Sequence, residues 1–167
     1  MYVDALLTLA GSILGNTVTP AAVFGSGTTV VSGSFTGGNV IDLSASIPTG
    51  SVRDLGEGSD IPVTRVQIIT AFTGGTSAQF NVIASDDAAN TINVTVIGST
   101  GAIPVAQLVA NARFAIEINP RIASKGQRYL GLQVINVGAN TAGSIYADLG
   151  IDIQDGQKFY PVGYAVL

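Results

Sequence analysis

The residues of this chain that could do chemistry are carboxylates, and they cluster in residues 53–60, 86–87 and 152–155. Asp86 and Asp87 are adjacent in the run Ser85–Asn90. Two neighbouring carboxylates can share a proton or bind Ca²⁺. They equally suit a hydrated turn in which Asp and Asn side chains cap local backbone N–H groups. We expect capping here, because turn chemistry is the more frequent role of such a pair.

The cluster from Arg53 to Asp60 contributes three further acids, Asp54, Glu57 and Asp60. It departs from the EF-hand pattern, because Gly56 occupies the third ligand position and the required glycine is misplaced. A turn with an internal ion pair to the arginine explains the run more simply than a metal site does. We therefore expect no bound metal at this cluster.

Three absent residue types remove whole classes of enzyme chemistry. The chain contains no Cys, no His and no Trp. It therefore has no thiol nucleophile, no Ser-His-Asp triad and no zinc site of the usual kind. The glycine-rich pieces Gly25–Gly27 and Gly37–Gly38 lack the Lys and the following helix of a phosphate-binding loop. We expect no catalytic residues, no cofactor and no enzymatic activity.

Charge and hydropathy also exclude two classes of partner. The 7 basic and 11 acidic residues give a net charge of −4, without the clustered cations that nucleic-acid binding requires. No stretch supplies the roughly 20 apolar residues of a membrane-spanning helix. Residues 5–14 resemble the apolar part of a signal peptide, but no basic residue precedes them. We expect neither nucleic acid nor membrane as a partner.

The low charge indicates a subunit of an assembly. Charged residues make up 11% of the chain, against about 25% in ordinary soluble domains, and hydrophobic residues reach 47%. A lone domain needs surface charge to stay dispersed in water. The 167 residues suffice for one domain with its own core. We therefore expect this domain to bury much of its surface against other subunits.

Alternating apolar residues predict an all-β fold. Val66–Phe72 and Ala78–Ala84 alternate on either side of Gly74-Gly75, which predicts a hairpin. Further strands are predicted at 92–96, 114–118, 128–137 and 145–153, with a turn at 98–101 between the first two. One short helix near 104–110 is predicted, with Pro104 at its start. About eight short strands predict a β-sandwich, most commonly a jelly-roll β-sandwich.

The chain ends differ from the middle and predict extended termini. We expect a single domain over 1–167, with an N-terminal arm or strand at 1–13, a Gly/Thr-rich insert at 14–38, a β-sandwich core at 40–155 and an apolar C-terminal tail at 156–167. Large apolar side chains at chain ends have the poorest cover within their own domain. The predicted interface residues are Tyr2, Leu6, Leu7, Phe159, Tyr160, Pro161, Tyr164 and Leu167.

Three segments carry a resemblance to a known family: RDLGEGSDIPVTRVQIITAFTGGTSAQFNVIASDDA at 53–88, GAIPVAQLVANARFAIEINP at 101–120 and GQRYLGLQVINVGANTAGSIYADLGIDIQ at 126–154. In their order and spacing they resemble the capsid cement (decoration) proteins of tailed bacteriophages. The resemblance covers about two-thirds of the chain. Residues 14–38 depart from it, because this region is longer than the family pattern.

The resemblance implies a non-enzymatic jelly-roll subunit on the outer capsid surface of the virion, made in the bacterial host cytoplasm. Its implied partners are the major capsid protein and further copies of itself, as a homodimer or homotrimer. An alternative is a phage-associated carbohydrate- or receptor-binding β-sandwich, which exposed coplanar aromatic side chains in a groove would favour. An acid-pair hydrolase would instead need two carboxylates converging in one cleft.

Overall fold

The computed structural model describes residues 7–14, 17–23, 29–43, 62–118 and 127–150. These residues form twelve strands: β1 (Thr8–Ala10), β2 (Ser12–Leu14), β3 (Thr17–Thr19), β4 (Ala21–Ala22), β5 (Thr29–Val31), β6 (Ile41–Asp42), β7 (Val63–Gly74), β8 (Ser77–Ser85), β9 (Thr95–Pro104), β10 (Arg113–Glu117), β11 (Tyr129–Val137) and β12 (Asn140–Gly150). Within the same residues, no helix has the length and apolar character needed to cross a membrane.

The strands form two antiparallel sheets with jelly-roll connectivity. The first sheet has the order β1-β12-β7-β10, with β4 added on β12, and the second has the order β5-β11-β8-β9, with β6 added on β11. Because β5 and β6 pair with successive parts of β11, they act as one interrupted strand. With β5 and β6 counted as one strand and the short β2, β3 and β4 left aside, the sandwich has eight strands. β1 pairs with β12, the combined strand with β11, β7 with β10 and β8 with β9, so that the first strand pairs with the last, the second with the seventh, the third with the sixth and the fourth with the fifth. This pairing is that of a folded two-stranded ribbon, so the predicted jelly-roll sandwich is confirmed.

The core lies between the two sheets and is built from their alternating apolar residues. Val66 and Ile68 of the first sheet and Val82 of the second have no exposed surface. The ring of Phe80 lies at the centre, 6.2 Å from that of Phe72 in an edge-to-face arrangement and 6.3 Å from that of Phe114 in a stacked one. Each buried side chain of this size contributes roughly 1.5–3 kcal/mol. The alternation therefore sets the inward face of each strand.

The turn at Gly74-Gly75 joins the two sheets instead of closing a hairpin. The strands on either side, β7 and β8, belong to different sheets, so the predicted hairpin is wrong. Gly74 has a φ of 86°, and a Cβ there would lie 2.2 Å from the carbonyl oxygen of Ala139. Gly75 donates a backbone hydrogen bond to that same oxygen, at 2.9 Å. This corner lies against the connection between β11 and β12, and only glycine permits the close approach.

The turn predicted at 98–101 is also absent from the structure. The segment lies inside β9, since Gly98 and Ser99 pair with Val82 and Asn81 of β8. The register of this pairing shifts twice along the strand, which is how a β-bulge absorbs an extra residue. The glycines in this segment therefore mark bulges in a strand.

The helix expected near 104–110 is a single 3-10 turn over Val105–Gln107. The chain cannot continue as a helix because its next backbone groups pair with β7. Phe72 donates to the carbonyl of Leu108 at 3.0 Å, and Asn111 donates to that of Ile68 at 2.8 Å. Leu108 itself is fully buried and anchors the connection to the core.

The sandwich extends beyond residues 40–155 at its N-terminal side. β1 pairs with β12, β4 pairs with β12, and β5 pairs with β11. Leu9, Ala10, Ala21 and Val23 are all buried in the core. Residues 8–10, and the strands β4 and β5 within the expected insert 14–38, are therefore parts of the two sheets.

Candidate interaction surface

The outer side of the second sheet carries charge only at one end within the described residues, where Asp42 of β6 lies opposite Tyr129 and is ion-paired with Arg128 at 2.6 Å. Strands β5, β8, β9 and β11 contain no Asp, Glu, Lys or Arg. The side chains that face outward are amides, hydroxyls and small apolar groups, and we call this surface the neutral face: Gln79, Asn81, Ser99, Ala102, Gln133 and Ile135. Solvated sheet faces ordinarily carry charge. An interface core, in contrast, is depleted of charge.

Hydrogen bonds fix the polar side chains of the neutral face. Gln79 Nε2 donates to Asn81 Oδ1 at 2.9 Å and to Ser99 Oγ at 3.0 Å. Ser99 Oγ in turn donates to Asn81 Oδ1 at 2.7 Å, and Asn81 Nδ2 donates to Gln133 Oε1 at 2.8 Å. Side chains that are already ordered lose less conformational entropy when a partner covers them. The row across three strands is therefore preorganised for contact.

The outer side of the first sheet is different, because it is charged. Arg65 and Asp148 are direct neighbours across β7 and β12 and form a two-pronged ion pair, with N–O distances of 3.0 and 2.8 Å. Burial raises the pKa of Asp148, although the Arg65 guanidinium acts in the opposite direction. Arg113 and Glu117 of β10 add exposed charges on the same side. The two outer surfaces of the sandwich thus differ in chemical character.

A short hairpin provides an exposed apolar element at the edge of the sandwich. β2 and β3 pair only with each other within the described residues, with Ile13 opposite Val18. Leu14 is 85% exposed and Val18 is 40% exposed. Exposed aliphatic groups on a projecting element are typical of contacts with other proteins. The hairpin is therefore a second candidate contact.

The paired carboxylates after β8 organise a loop. Asp87 Oδ1 accepts hydrogen bonds from the backbone N–H groups of Thr91 at 2.8 Å and Ile92 at 2.7 Å, and Oδ2 accepts one from the Thr91 hydroxyl at 2.8 Å. These bonds, above all that from Ile92, lower the pKa of Asp87. Asp86 accepts a hydrogen bond from Asn93 Nδ2 at 2.5 Å. The capping interpretation is confirmed for Asp87.

A shallow depression lies beside this loop and is lined by Asp86, Asn93, Val94, Thr95 and Gln127. Gln127 is 7% exposed, and its Nε2 donates to Thr95 Oγ1 at 2.9 Å and to the carbonyl of Asn93. Its Oε1 accepts no hydrogen bond from the described residues. Leaving a buried acceptor unpaired costs about 1–3 kcal/mol. The depression therefore offers an acceptor and a carboxylate to a donor.

The strand predicted at 92–96 begins only at Thr95, as part of β9, and the apolar residues of the predicted strand face solvent. Ile92, Val94 and Val96 are all exposed, whereas Ile97 packs partly against the core. Val96 lies opposite Ile83, on the outward side of β8. A shift of one residue exchanges the two faces of a strand. Alternation alone therefore could not identify these three side chains as surface groups.

Among the residues predicted from sequence to form an interface, Leu7 lies in the described part of the chain. It is half-buried and packs against the core. The others lie outside the described residues: Tyr2, Leu6, Phe159, Tyr160, Pro161, Tyr164 and Leu167. The acids at 53–60 and 152–155 also lie outside them. Across the described residues, no three acids are grouped as they would be to hold a metal ion.

Comparison with known protein families identifies a match over most of the chain. The model of a family described as Bbp16 matches residues 25–149, which is 125 of the 167 residues. The matched span contains β5 to β11 and all of β12 except its last residue. A search of curated proteins finds no match. The family match therefore covers most of the sandwich.

Proposed function

The chain belongs to the Bbp16 family and is a phage protein, and on that premise we propose that it is a capsid cement subunit. In this role it binds the outer surface of the icosahedral shell and stabilises the lattice of the major capsid protein. The observation that carries the proposal is the neutral face, a patch of uncharged side chains on the outer side of the second sheet that are ordered by hydrogen bonds to one another. Such a surface suits burial against another protein.

The mechanism we propose is thermodynamic and involves no catalysis. A subunit that binds only the expanded, mature lattice lowers the free energy of that state by mass action. Many moderate contacts repeated around the shell then resist internal pressure from the packaged DNA through multivalency. The place of action is the outer surface of the virion.

The proposed contacts involve the neutral face, the β2–β3 hairpin and the chain termini. Leu14 adds an exposed aliphatic group near the edge of the sandwich. In the proposed homodimer or homotrimer, Phe159, Tyr160 and Tyr164 contribute apolar surface shared between copies. An uncharged contact predicts binding that changes little between low and high salt, because salt screens charges and not apolar or neutral hydrogen-bonded contacts.

The alternative of a carbohydrate-binding sandwich has less support. Sugars are commonly held on exposed aromatic rings, which combine an apolar face with a polar edge. Within the described residues every aromatic side chain is buried or half-buried. The observation that would favour the alternative is therefore not present in this part of the chain.

Shell stability tests the proposed role. Expanded capsids stripped of the protein should melt at a lower temperature than the same capsids after the purified protein is added back. Serum albumin at equal concentration serves as the control for crowding. If the added protein leaves the melting temperature of the shell where albumin leaves it, the cement role is wrong.

A further inference from the structure

The hydrogen bonds of the neutral face run in one direction along a row of three amides, Gln79, Asn81 and Gln133. Gln79 Nε2 donates both of its hydrogens, one to Asn81 Oδ1 at 2.9 Å and one to Ser99 Oγ at 3.0 Å. Asn81 Nδ2 then donates to Gln133 Oε1 at 2.8 Å. The three amides therefore stand head to tail, because each nitrogen donates to the oxygen of the next.

The neighbours of each amide lock the polarity of the row. Asn81 is 2% exposed, and its Oδ1 also accepts a hydrogen bond from the Ser99 hydroxyl at 2.7 Å. Turning over the Gln79 amide would place its oxygen against the oxygen of Asn81, and an amide oxygen cannot donate. Aligned amides also polarise one another, which strengthens the partial charges at the two ends of the row.

The two ends of the row have no partner among the described residues. Gln79 Oε1 accepts no hydrogen bond there, and Gln133 Nε2 donates none. Both side chains are half-buried. A protein that covers the row must therefore bring a donor to Gln79 and an acceptor to Gln133, because burying either group without a partner costs free energy.

We infer that the neutral face binds main-chain peptide groups of an extended segment of the capsid protein, with an N–H group on Gln79 and a carbonyl on Gln133. This inference rests on the proposed function and specifies the chemical groups that the face recognises. A peptide backbone supplies one neutral donor and one neutral acceptor per residue. A charged side chain, in contrast, would satisfy one end of the row and oppose the other.

The spacing of the two ends fits such a segment. Gln133 lies opposite Asn81, and Ile135 lies opposite Gln79, so Gln79 and Gln133 are diagonal neighbours on β8 and β11. Diagonal neighbours in an antiparallel sheet are about 7–8 Å apart. Along one edge of an extended strand, the backbone groups recur every two residues, or about every 6.8 Å. One edge of a partner strand can therefore reach both ends of the row.

A sugar is the alternative ligand for such a face, and it differs from a peptide in one property. A hydroxyl group both donates and accepts, so it can turn to satisfy either end of the row. A main-chain carbonyl accepts and cannot donate. The two ligands therefore respond differently when the donor at Gln133 is exchanged for an acceptor.

Opposite charges at one position test this polarity. Gln133→Lys keeps N–H donors at that end of the row, and Gln133→Glu replaces them with acceptors. The matched controls are Gln67→Lys and Gln67→Glu, because Gln67 is also a half-buried strand glutamine but lies on the outer side of the first sheet, opposite Arg113. The control pair has the same net charges, so it accounts for any general attraction or repulsion by the capsid. Melting curves establish that all four variants are folded.

The affinity of each variant is measured by titrating expanded capsids and sedimenting them. Gln133→Glu should bind at least roughly tenfold more weakly than Gln133→Lys, because it sets a carboxylate against a carbonyl where the lysine can donate. The two Gln67 variants should bind alike.

A difference between the Gln133 variants no larger than that between the Gln67 variants would overturn the inference and leave the cement role in place. It is the result expected for a hydroxyl-bearing ligand. Tighter binding by Gln133→Glu than by Gln133→Lys would overturn the inference as well. Wild-type protein that does not sediment with expanded capsids would overturn both the inference and the proposed function.

Discussion

A lysine at Ala102 is expected to weaken binding to the shell while leaving the fold intact. Ala102 lies on β9 opposite Gln79, so it points outward from the neutral face, and it is exposed. Exposed positions of this kind tolerate substitution with changes within about 0.5 kcal/mol in the free energy of unfolding. The melting temperature of Ala102→Lys should therefore match that of the wild type.

The expected loss of affinity follows from desolvation. If the neutral face is covered by capsid protein, the new ammonium group loses water and finds no carboxylate among the residues of β5, β8, β9 and β11. Burying an unpaired charge costs several kcal/mol. A penalty of about 3 kcal/mol corresponds to a roughly 100-fold weaker interaction. The assay is a titration of expanded capsids, with bound protein measured in the pellet.

Ala115→Lys is the matched control. Ala115 is also an exposed alanine on an edge strand, but it lies opposite Arg65 on the charged side of the first sheet. The same substitution there should leave binding unchanged. Wild-type binding by Ala102→Lys, or an equal loss in both variants, would refute the assignment of the neutral face to the interface.

Three further outcomes are expected. Phe80→Ala should lower the free energy of unfolding by about 3–5 kcal/mol in urea, because its ring contacts those of Phe72 and Phe114; a change near zero would contradict the packing. Asp87→Ala should lower the melting temperature at neutral pH. Hydrogen bonding lowers the pKa of Asp87 below its ordinary value of 3.8, so the difference in melting temperature between variant and wild type should vanish as the pH falls through the pKa of Asp87 in the folded protein. A difference that persists below that pKa would refute the stabilising role of the ionised carboxylate. Truncation after Asp155 should preserve the far-UV circular dichroism spectrum but abolish self-association measured by light scattering. An unchanged oligomer mass would contradict a role of the C-terminal tail in self-association.

The sequence predicted which faces of the strands are buried better than it predicted which strands are neighbours. Ile145, Ala147 and Leu149 alternate and are buried, as expected for β12. The same kind of pattern around Gly74-Gly75 predicted a hairpin, although the two strands belong to different sheets. Alternation specifies a face and a period but not a partner. Sheet membership depends on distant strands, which the local pattern does not contain.

The candidate surfaces were harder to predict than the fold. The absence of charge from β8, β9 and β11 is visible in the sequence, but the neutral face exists only because three separate strands align Gln79, Asn81 and Gln133 in one row. The spacing of Ile92, Val94 and Val96 fits a half-buried strand, so alternation does not reveal that these side chains are exposed. The Gly/Thr-rich composition of residues 14–38 predicts an insert, and the two-residue strand β4 and the three-residue strand β5 are too short to show a period that would indicate otherwise.

Binding to capsids tests the cement role most directly. Purified protein is mixed with expanded and with unexpanded capsids, the capsids are sedimented, and the bound protein is counted against the major capsid protein. A cement subunit should saturate expanded capsids at a fixed ratio and remain in the supernatant with unexpanded ones. Failure to sediment with expanded capsids, or equal binding to both forms, would contradict the account.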